Sequence, residues 1–348
     1  MLKKKETTVH KLDKKNKKQT RIALEQSSKA IREGGLVCFP TETVYGIGAD
    51  ATNDKAVADI FRAKNRSFEN PMALHLHSVD EVEKYVKDIS DRAQTLMDKF
   101  LPGPLMLIFN KNENVSDIVT GGMRKVGIRI PRHDLCLDFL RECGRPVAAT
   151  SANESGRLAC VKPSDILGEM EGKFDILLDG GRSPLGIEST VLDVTTDPPR
   201  ILRPGFISMS EIAMTIGIPP IFSENVIKSS YDETQEDDSK VKMIVLEGPE
   251  GFVKSQIKKF TEMKEKKVGI VLTDELAGEF GDHPVLRKMG SREDPVTIAH
   301  NLFEILRDME KKEVELIIVE GIPREGIGRT LMIKLCQLAE ECLRPDSA

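Results

Sequence analysis

Lys64 and Arg66 form a Lys-x-Arg at the end of a helical pattern, a spacing that can hold phosphate oxygens. The apolar stripe before them runs Val57, Ile60, Phe61, and the next position in phase is Lys64. Lys64 is therefore expected to point toward the sheet, where an unpaired charge is too costly to keep for packing alone. Arg66, just past the helix end, offers a planar fork suited to phosphate or carboxylate. Cations near a helix C-terminus also satisfy its carbonyls and dipole, so the pair alone does not define a site.

Other polar residues stand where ligands are usually met. Thr41-Glu42-Thr43 directly follows the apolar run LVCFP (36–40), the position of ligand-facing hydroxyls in α/β sheets. Gly46-x-Gly48-x-x-Ala51 has the outline of a dinucleotide fingerprint, but TETVY separates it from the strand and the helix begins only near Asp54. That excludes a nicotinamide site and leaves the glycines to permit close backbone approach or a tight turn. On strand 126–130, Val126, Ile128 and Ile130 share one face and leave Arg129 on the other beside Gly127. Such a cation needs an anion, either an internal Asp or Glu or a substrate carboxylate. Ser151 and Asn153 of TSANESG (150–156) follow a small-residue strand, and Ser189-Thr190 and Arg203 of LRPG stand in comparable places. His75 and His77 share a strand face with nothing nearby to complete a zinc site, and are read as structural or ligand-contacting. No P-loop, Ser-His-Asp set, paired carboxylates or metal cluster occurs. Hydroxyls, an amide and cations suit catalysis by positioning and charge neutralisation, as in phosphoryl or nucleotidyl transfer.

These residues must be carried by a sheet. Ordered structure is expected from Arg21, with a helix stopped by Gly34-Gly35, a strand at 36–40, a helix at 54–64 behind Asn53 and Asp54, and a strand at 72–77. A helix over 79–100 interrupted near Ser90, a turn then strand at 101–109, a strand at 126–131, a helix at 134–142 and strands at 146–150, 175–179 and 189–195 complete a unit ending near 205–208. Hairpin-like spacings mixed with helical crossovers argue for a twisted mixed sheet. Residues 209–240 are read as a linker, acidic and nearly free of apolar residues from about Ser223. Beyond it the apolar strands VKMIVLEG, KVGIVLTDE and VELIIVEG alternate with helices at 250–265, 295–311 and 327–342, which means a smaller parallel Rossmann-like α/β domain over 241–348.

Bulk composition sets the class. The 348 residues, 39% hydrophobic and 31% charged, suffice for two ordinary cores. No apolar run approaches the roughly 20 residues a bilayer span needs, so no membrane contact and a cytoplasmic protein are expected. Six cysteines without C-x-x-C spacing are read as reduced core residues. The net charge of −5 hides a basic start: residues 1–20 hold eight lysines against Glu6 and Asp13. This stretch is read as a disordered tail able to make weak RNA contact. Three Tyr and no Trp leave little platform for stacking single-stranded bases.

The motifs together resemble the YrdC family. FPTETVYGIG, the KNR of Lys64 to Arg66, NPMALH (70–75), LPGPL, VGIRIPRH, TSANESG, IESTVLDV and LRPG stand in unbroken order, and VEGIPREGIGRTLMIKL (319–335) is similar to the second domain of the long members. The resemblance implies a YrdC-like catalytic domain over 21–208. It further implies conversion of L-threonine, bicarbonate and ATP to threonylcarbamoyl-adenylate and pyrophosphate, for N6-threonylcarbamoyladenosine in tRNA. Carried onto these residues, Lys64, Arg66, Ser151 and Asn153 surround ATP with Asn70 and Arg203, while Thr41, Thr43, His75, Arg129, Ala149 and Ser189 are candidates for the threonine pocket. Magnesium would ride on ATP with no protein-ligated metal, and a tRNA threonylcarbamoyl transferase complex would take the product. Long members carry a Lys-Tyr-Arg-His-Tyr-Ala-Pro run that folds over the nucleotide; here the linker offers only Lys228 and Tyr231 amid acids, so weaker nucleotide retention or another lid is expected. A non-catalytic RNA-binding or regulatory module is the alternative, opposed by the acidic body and the full set of small-ligand residues. A carbamoyl-transferring maturation protein would need zinc-finger cysteines and further domains that the chain lacks.

Overall fold

A computed structural model describes residues 5–13, 15–223, 241–262, 267–312 and 314–345. The chain divides into two compact units, Met1–Ser223 and Glu224–Ala348. The first unit runs β1 (Thr8–Lys11), α1 (Lys17–Arg32), β2 (Val37–Phe39), β3 (Gly46–Asp50), α2 (Asp54–Lys64) and β4 (Ala73–His75). A 3-10 turn at Val79–Lys84 leads to β5 (Val86–Lys87), α3 (Asp91–Phe100), β6 (Leu105–Lys111), α4 (Asp117–Thr120), β7 (Lys125–Arg129) and α5 (Asp134–Cys143). It closes with β8 (Val147–Ser151), α6 (Pro163–Met170), β9 (Ile176–Asp179), β10 (Thr190–Asp193), β11 (Arg200–Arg203), α7 (Met209–Ile216) and β12 (Ile221–Phe222).

These strands form one mixed sheet in the order β1-β9-β2-β3-β8-β4-β7-β6-β10-β11-β12, with β5 beside β6. Period-2 alternation gives the sheet two apolar faces. Leu74, Leu107, Ile128, Ala148 and Leu192 face a core shared with Ile60 and Phe61 of α2, Leu96 of α3 and Ile212 of α7. On the other face Val37, Phe39, Val147, Ala149 and Leu178 pack on Ala23 and Ile31 of α1 and Phe139 and Leu140 of α5. That second core takes no residue from β4, β7, β6 or β10. The strand GIGAD, absent from the sequence reading, fits between β2 and β8 because its glycines lack Cβ atoms. A Cβ on Gly48 would lie 2.5 Å from Val147 Cγ1, and one on Gly46 2.9 Å from the Phe39 ring.

Two boundaries differ from expectation. The basic start is not a tail throughout: β1 pairs in parallel with β9, Lys5 meets Asp175 at 2.5 Å, and Leu12 joins the second core. Lysines that dominate the composition flank a strand which closes the open edge of β9. Residues 209–222 are not linker either. Ser208 and Glu211 make a reciprocal capping box that starts α7, whose Ile212 is fully buried, and β12 pairs with β11. The acidic stretch 224–240, and with it the expectation about a lid, lies outside the described residues.

The second unit is β13 (Lys242–Leu246), α8 (Glu250–Thr261), β14 (Val268–Leu272), α9 (Asp274–Ala277), β15 (Leu286–Lys288), α10 (Pro295–Lys311), β16 (Leu316–Glu320), α11 (Gly326–Leu338) and β17 (Glu341–Leu343). Its sheet is parallel throughout, in the order β15-β14-β16-β13-β17. The three apolar strands are the central ones, and the two short edge strands were not expected. Helix α11 stops at Leu338 rather than 342, and Cys336 and Cys342 form a disulfide between it and β17. This corrects the reading of six reduced cysteines; Cys38, Cys136, Cys143 and Cys160 are the buried free thiols.

Candidate active site

The sheet register lays three of the candidates, His75, Arg129 and Arg203, in one row. Val147, His75, Arg129, Met106, Val191 and Arg203 are successive cross-strand partners from β8 to β11, so their side chains share the face beyond α1 and α5. Ala73, the partner of Ala149 and of Gly127, continues that face with small residues. Ser151 on β8 and Ser189 just before β10 stand on opposite sides of β4, β7 and β6. Four strand spacings, about 19 Å, separate those flanks.

Helix α2 delivers Lys64 as its phase requires. Asn53 caps the N-terminus through Lys55 N and Ala56 N, and Asn65 ends the helix in the left-handed conformation at φ 52°. Lys64 is 1% exposed and donates its ammonium to the carbonyl of Ser151. Burial, then the Arg66 charge, lowers its pKa to about 7, against smaller opposing effects of Cys160, Cys38 and Glu169. Arg66 donates to Pro71 O at 3.3 Å, drawing in the 65–71 turn that holds Asn70, whose N–H bonds Ser67 O. The Ser-x-Asn segment is tied to the same place, because Ser155 N donates to Lys64 O. Asn153 donates its amide to Glu154 O and Arg157 O, while its buried Oδ1 has no hydrogen-bond partner among the described residues.

Thr41 and Thr43 are buried and bonded to each other at 2.9 Å, and Thr41 Oγ1 donates to Val44 O. Glu42 between them answers the question of the Arg129 anion. Its Oε1 accepts from Arg129 Nη2 at 2.8 Å and from the Arg132 N–H at 2.9 Å, with both side chains buried. The internal partner is present, 87 residues away in sequence. His75 lies beside Arg129; burial, then that guanidinium, pushes its pKa down to about 3, so the imidazole is neutral. Its Nδ1 has no hydrogen-bond partner among the described residues. His77 instead meets Glu81 at 2.7 Å.

At the far flank Arg203 Nη2 donates to Ser189 O at 3.0 Å and to Ser189 Oγ at 3.1 Å. This juxtaposition depends on Gly205, where a Cβ would lie 2.2 Å from Thr190 N. The sequence reading gave no role to Glu42 or to the 180–188 loop. Tyr45 anchors that loop, its hydroxyl donating to Gly181 O at 2.6 Å and accepting from Gly180 N, and Leu185 N donates to Glu42 O. A carboxylate between two hydroxyls after a strand was the available signal. Among the described residues no group of three or more His, Cys, Asp or Glu is placed to hold a metal ion.

The chain matches known proteins over both of its units. The Sua5, YciO and YrdC family model, described as "Telomere recombination", matches residues 29–205, and the model described as "Threonylcarbamoyl-AMP synthase, C-terminal domain" matches 238–337. The chain is 37% identical over 314 residues to the threonylcarbamoyl-AMP synthase of Pyrococcus abyssi, covering 88% of this chain and 90% of that one. It is 34% identical to that of Bacillus subtilis, covering 91% and 92%. A solved variant of P. abyssi Sua5 superimposes with a TM-score of 0.87 at 34% identity, over 98% of this chain and 100% of that one. The P. abyssi Sua5 complexed with L-threonine gives 0.84 at 34% identity, over 97% and 99%. With both domains matched, the chain belongs to the Sua5 and YrdC family of threonylcarbamoyl-AMP synthases.

Proposed function

We propose that this enzyme joins L-threonine to bicarbonate and adenylates the product, releasing pyrophosphate, to supply N6-threonylcarbamoyladenosine synthesis on tRNA. The observation that carries the reading is Lys64: a buried ammonium whose hydrogen-bond partner is a neutral carbonyl, with Arg66 adding like charge beside it. Such a group is stabilised by a ligand anion, and a triphosphate is the anion the synthase uses.

Lys64, Arg66, Asn70, Ser151, Asn153 and Arg203 are the nucleotide residues in this reading. Thr41, Thr43, His75, Arg129, Ala149 and Ser189 form the threonine pocket. Threonine ammonium and bicarbonate give the carbamate, water and a proton. A carbamate oxygen then attacks the α-phosphorus as its bond to the α,β-bridging oxygen breaks, and pyrophosphate leaves with the bond electrons. Lys64 and Arg66 offset the charge that develops on it, so no protein nucleophile is required. Magnesium enters on the triphosphate in this reading, since it usually takes few protein ligands and the assigned nucleotide residues include no carboxylate. A cytoplasmic tRNA threonylcarbamoyl transferase complex consumes the adenylate, and the N-terminal lysines are a place for weak RNA contact.

Incubation with ATP, labelled bicarbonate and L-threonine tests the reading. Threonine-dependent pyrophosphate and threonylcarbamoyl-adenylate are expected, with a drop of at least about 100-fold in Lys64→Ala or Arg66→Ala. Absence of both products from the unaltered enzyme, with tight duplex RNA binding, would favour the non-catalytic module.

A further inference from the structure

The carboxylate of Glu42 is used unequally. Oε1 takes both available donors, Arg129 Nη2 at 2.8 Å and Arg132 N at 2.9 Å. Oε2 is buried with no hydrogen-bond partner among the described residues. A carboxylate serving only to neutralise an arginine commonly pairs through both oxygens with the two arms of the fork. Leaving a buried acceptor unfilled is costly, and a donor arriving with the ligand would remove that cost. The residue is also held firmly, because Leu185 N donates to Glu42 O and the side chain is 5% exposed.

We propose that Glu42 Oε2 accepts from the α-ammonium of the amino-acid substrate, which makes Glu42 a specificity-determining residue for α-amino acids. The proposal rests on the placement of the threonine pocket around Arg129. Its argument is charge complementarity at short range. Arg129 and Glu42 form a neutral pair whose positive fork and free acidic oxygen stand side by side. A zwitterionic α-amino acid carries the opposite pattern on two adjacent carbons, carboxylate for Arg129 and ammonium for Glu42. A plain carboxylate would meet Arg129 but would press its charge against Glu42 without compensation. Buried in a low-dielectric place, that difference is large enough to select. Thr41 and Thr43, which flank Glu42 in sequence, are bonded to each other through their hydroxyls.

The test compares L-threonine with (R)-3-hydroxybutyrate, the same skeleton without its amine, by calorimetric binding to the full-length protein and to Glu42→Gln. The unaltered protein is expected to prefer threonine by roughly 10- to 100-fold, the range of a charge-assisted hydrogen bond. Glu42→Gln is expected to lose most of that preference, weakening threonine while leaving (R)-3-hydroxybutyrate and ATP unchanged or the former tighter. Glu42→Asp, which keeps the charge but withdraws it, should lose threonine in the same selective way and serves if the amide variant does not fold. Equal affinity of the unaltered protein for the two ligands, or a variant that retains full preference for threonine, overturns the proposal. So does a variant that loses both ligands equally while still binding ATP, the signature of a purely structural role. Failure of the unaltered protein to bind threonine at all would instead remove the pocket assignment on which the proposal stands, and the proposal with it.

Discussion

Lys64 and Ser151 are joined by a hydrogen bond from a fully buried ammonium to a main-chain carbonyl, 87 residues apart in sequence. One neutral acceptor does not replace the hydration that the ammonium gives up, and Arg66 adds repulsion. The folded-state pKa of about 7 lies well below the ordinary lysine value of 10.5. Between these values the unfolded chain binds the proton and the folded chain does not. Stability of the ligand-free enzyme should therefore rise as pH goes from about 7 toward 10.5, with the full cost present below 7. In Lys64→Met that rise should shrink, and the variant should be more stable than the parent at pH 7 while inactive. Urea midpoints across this range decide the point; unchanged pH dependence in the variant would assign the slope to other groups.

The same amine should couple nucleotide binding to proton uptake. A triphosphate beside Lys64 favours its charged form, so near pH 8 ATP binding should take up about one proton. Calorimetry in buffers of different ionisation enthalpy measures this number directly. Lys64→Arg, which stays charged, should show almost none.

His75 is a neutral group in the working range. Its pKa near 3 implies that the unfolded chain, with an ordinary value near 6.5, takes up a proton that the folded chain refuses as the solution becomes acidic. Its contribution is thus complete above about 6.5 and is lost progressively toward pH 3. The His75 ring resonances should stay constant from pH 5 to 8, and a titration within that window would show the imidazole to be hydrated.

Gly205 controls the Ser189 and Arg203 contact. In Gly205→Ala the new Cβ would meet Thr190 N at 2.2 Å and Ser189 C at 2.3 Å, both main-chain atoms that cannot step aside. A loss of about 1–3 kcal/mol of stability is expected. Pyrophosphate release should fall by more than about tenfold, because the LRPG segment is displaced from the site. Arg203→Lys should reproduce the activity loss with little change in melting temperature, since it removes the fork but spares the backbone.

In the second unit Glu247 is bonded by Arg324 through both oxygens and by Arg344, and the Arg324 bonds foremost hold its pKa down to about 2. Its stabilising effect is present above about 4.5 and disappears as pH falls toward 2. Glu247→Gln should flatten the acid limb of a thermal-melt profile while leaving the midpoint at pH 7 only slightly lower, as expected for a partly exposed pair.

The catalytic domain's sheet class, most of its strands and the parallel second domain were legible because apolar period and turn residues are local signals. Phase along eleven residues of α2 was enough to turn Lys64 inward, and alternation in VGIRIP was enough to set Arg129 against the apolar face. What the chain could not disclose was partnership at a distance. The Glu42 and Arg129 pair, the Ser189 and Arg203 contact across Gly205, and the parallel pairing of Thr8–Lys11 with β9 each depend on which strands become neighbours. Composition likewise misassigned Thr8–Lys11 and 209–222, where a strand edge and a capped helix outweigh charge and polarity. Sequence by itself determined which way each polar side chain points from its own element, since that follows from helix and strand geometry. Only the tertiary structure decided which of those groups meet, because strand order sets the distances over which charges and hydrogen bonds act.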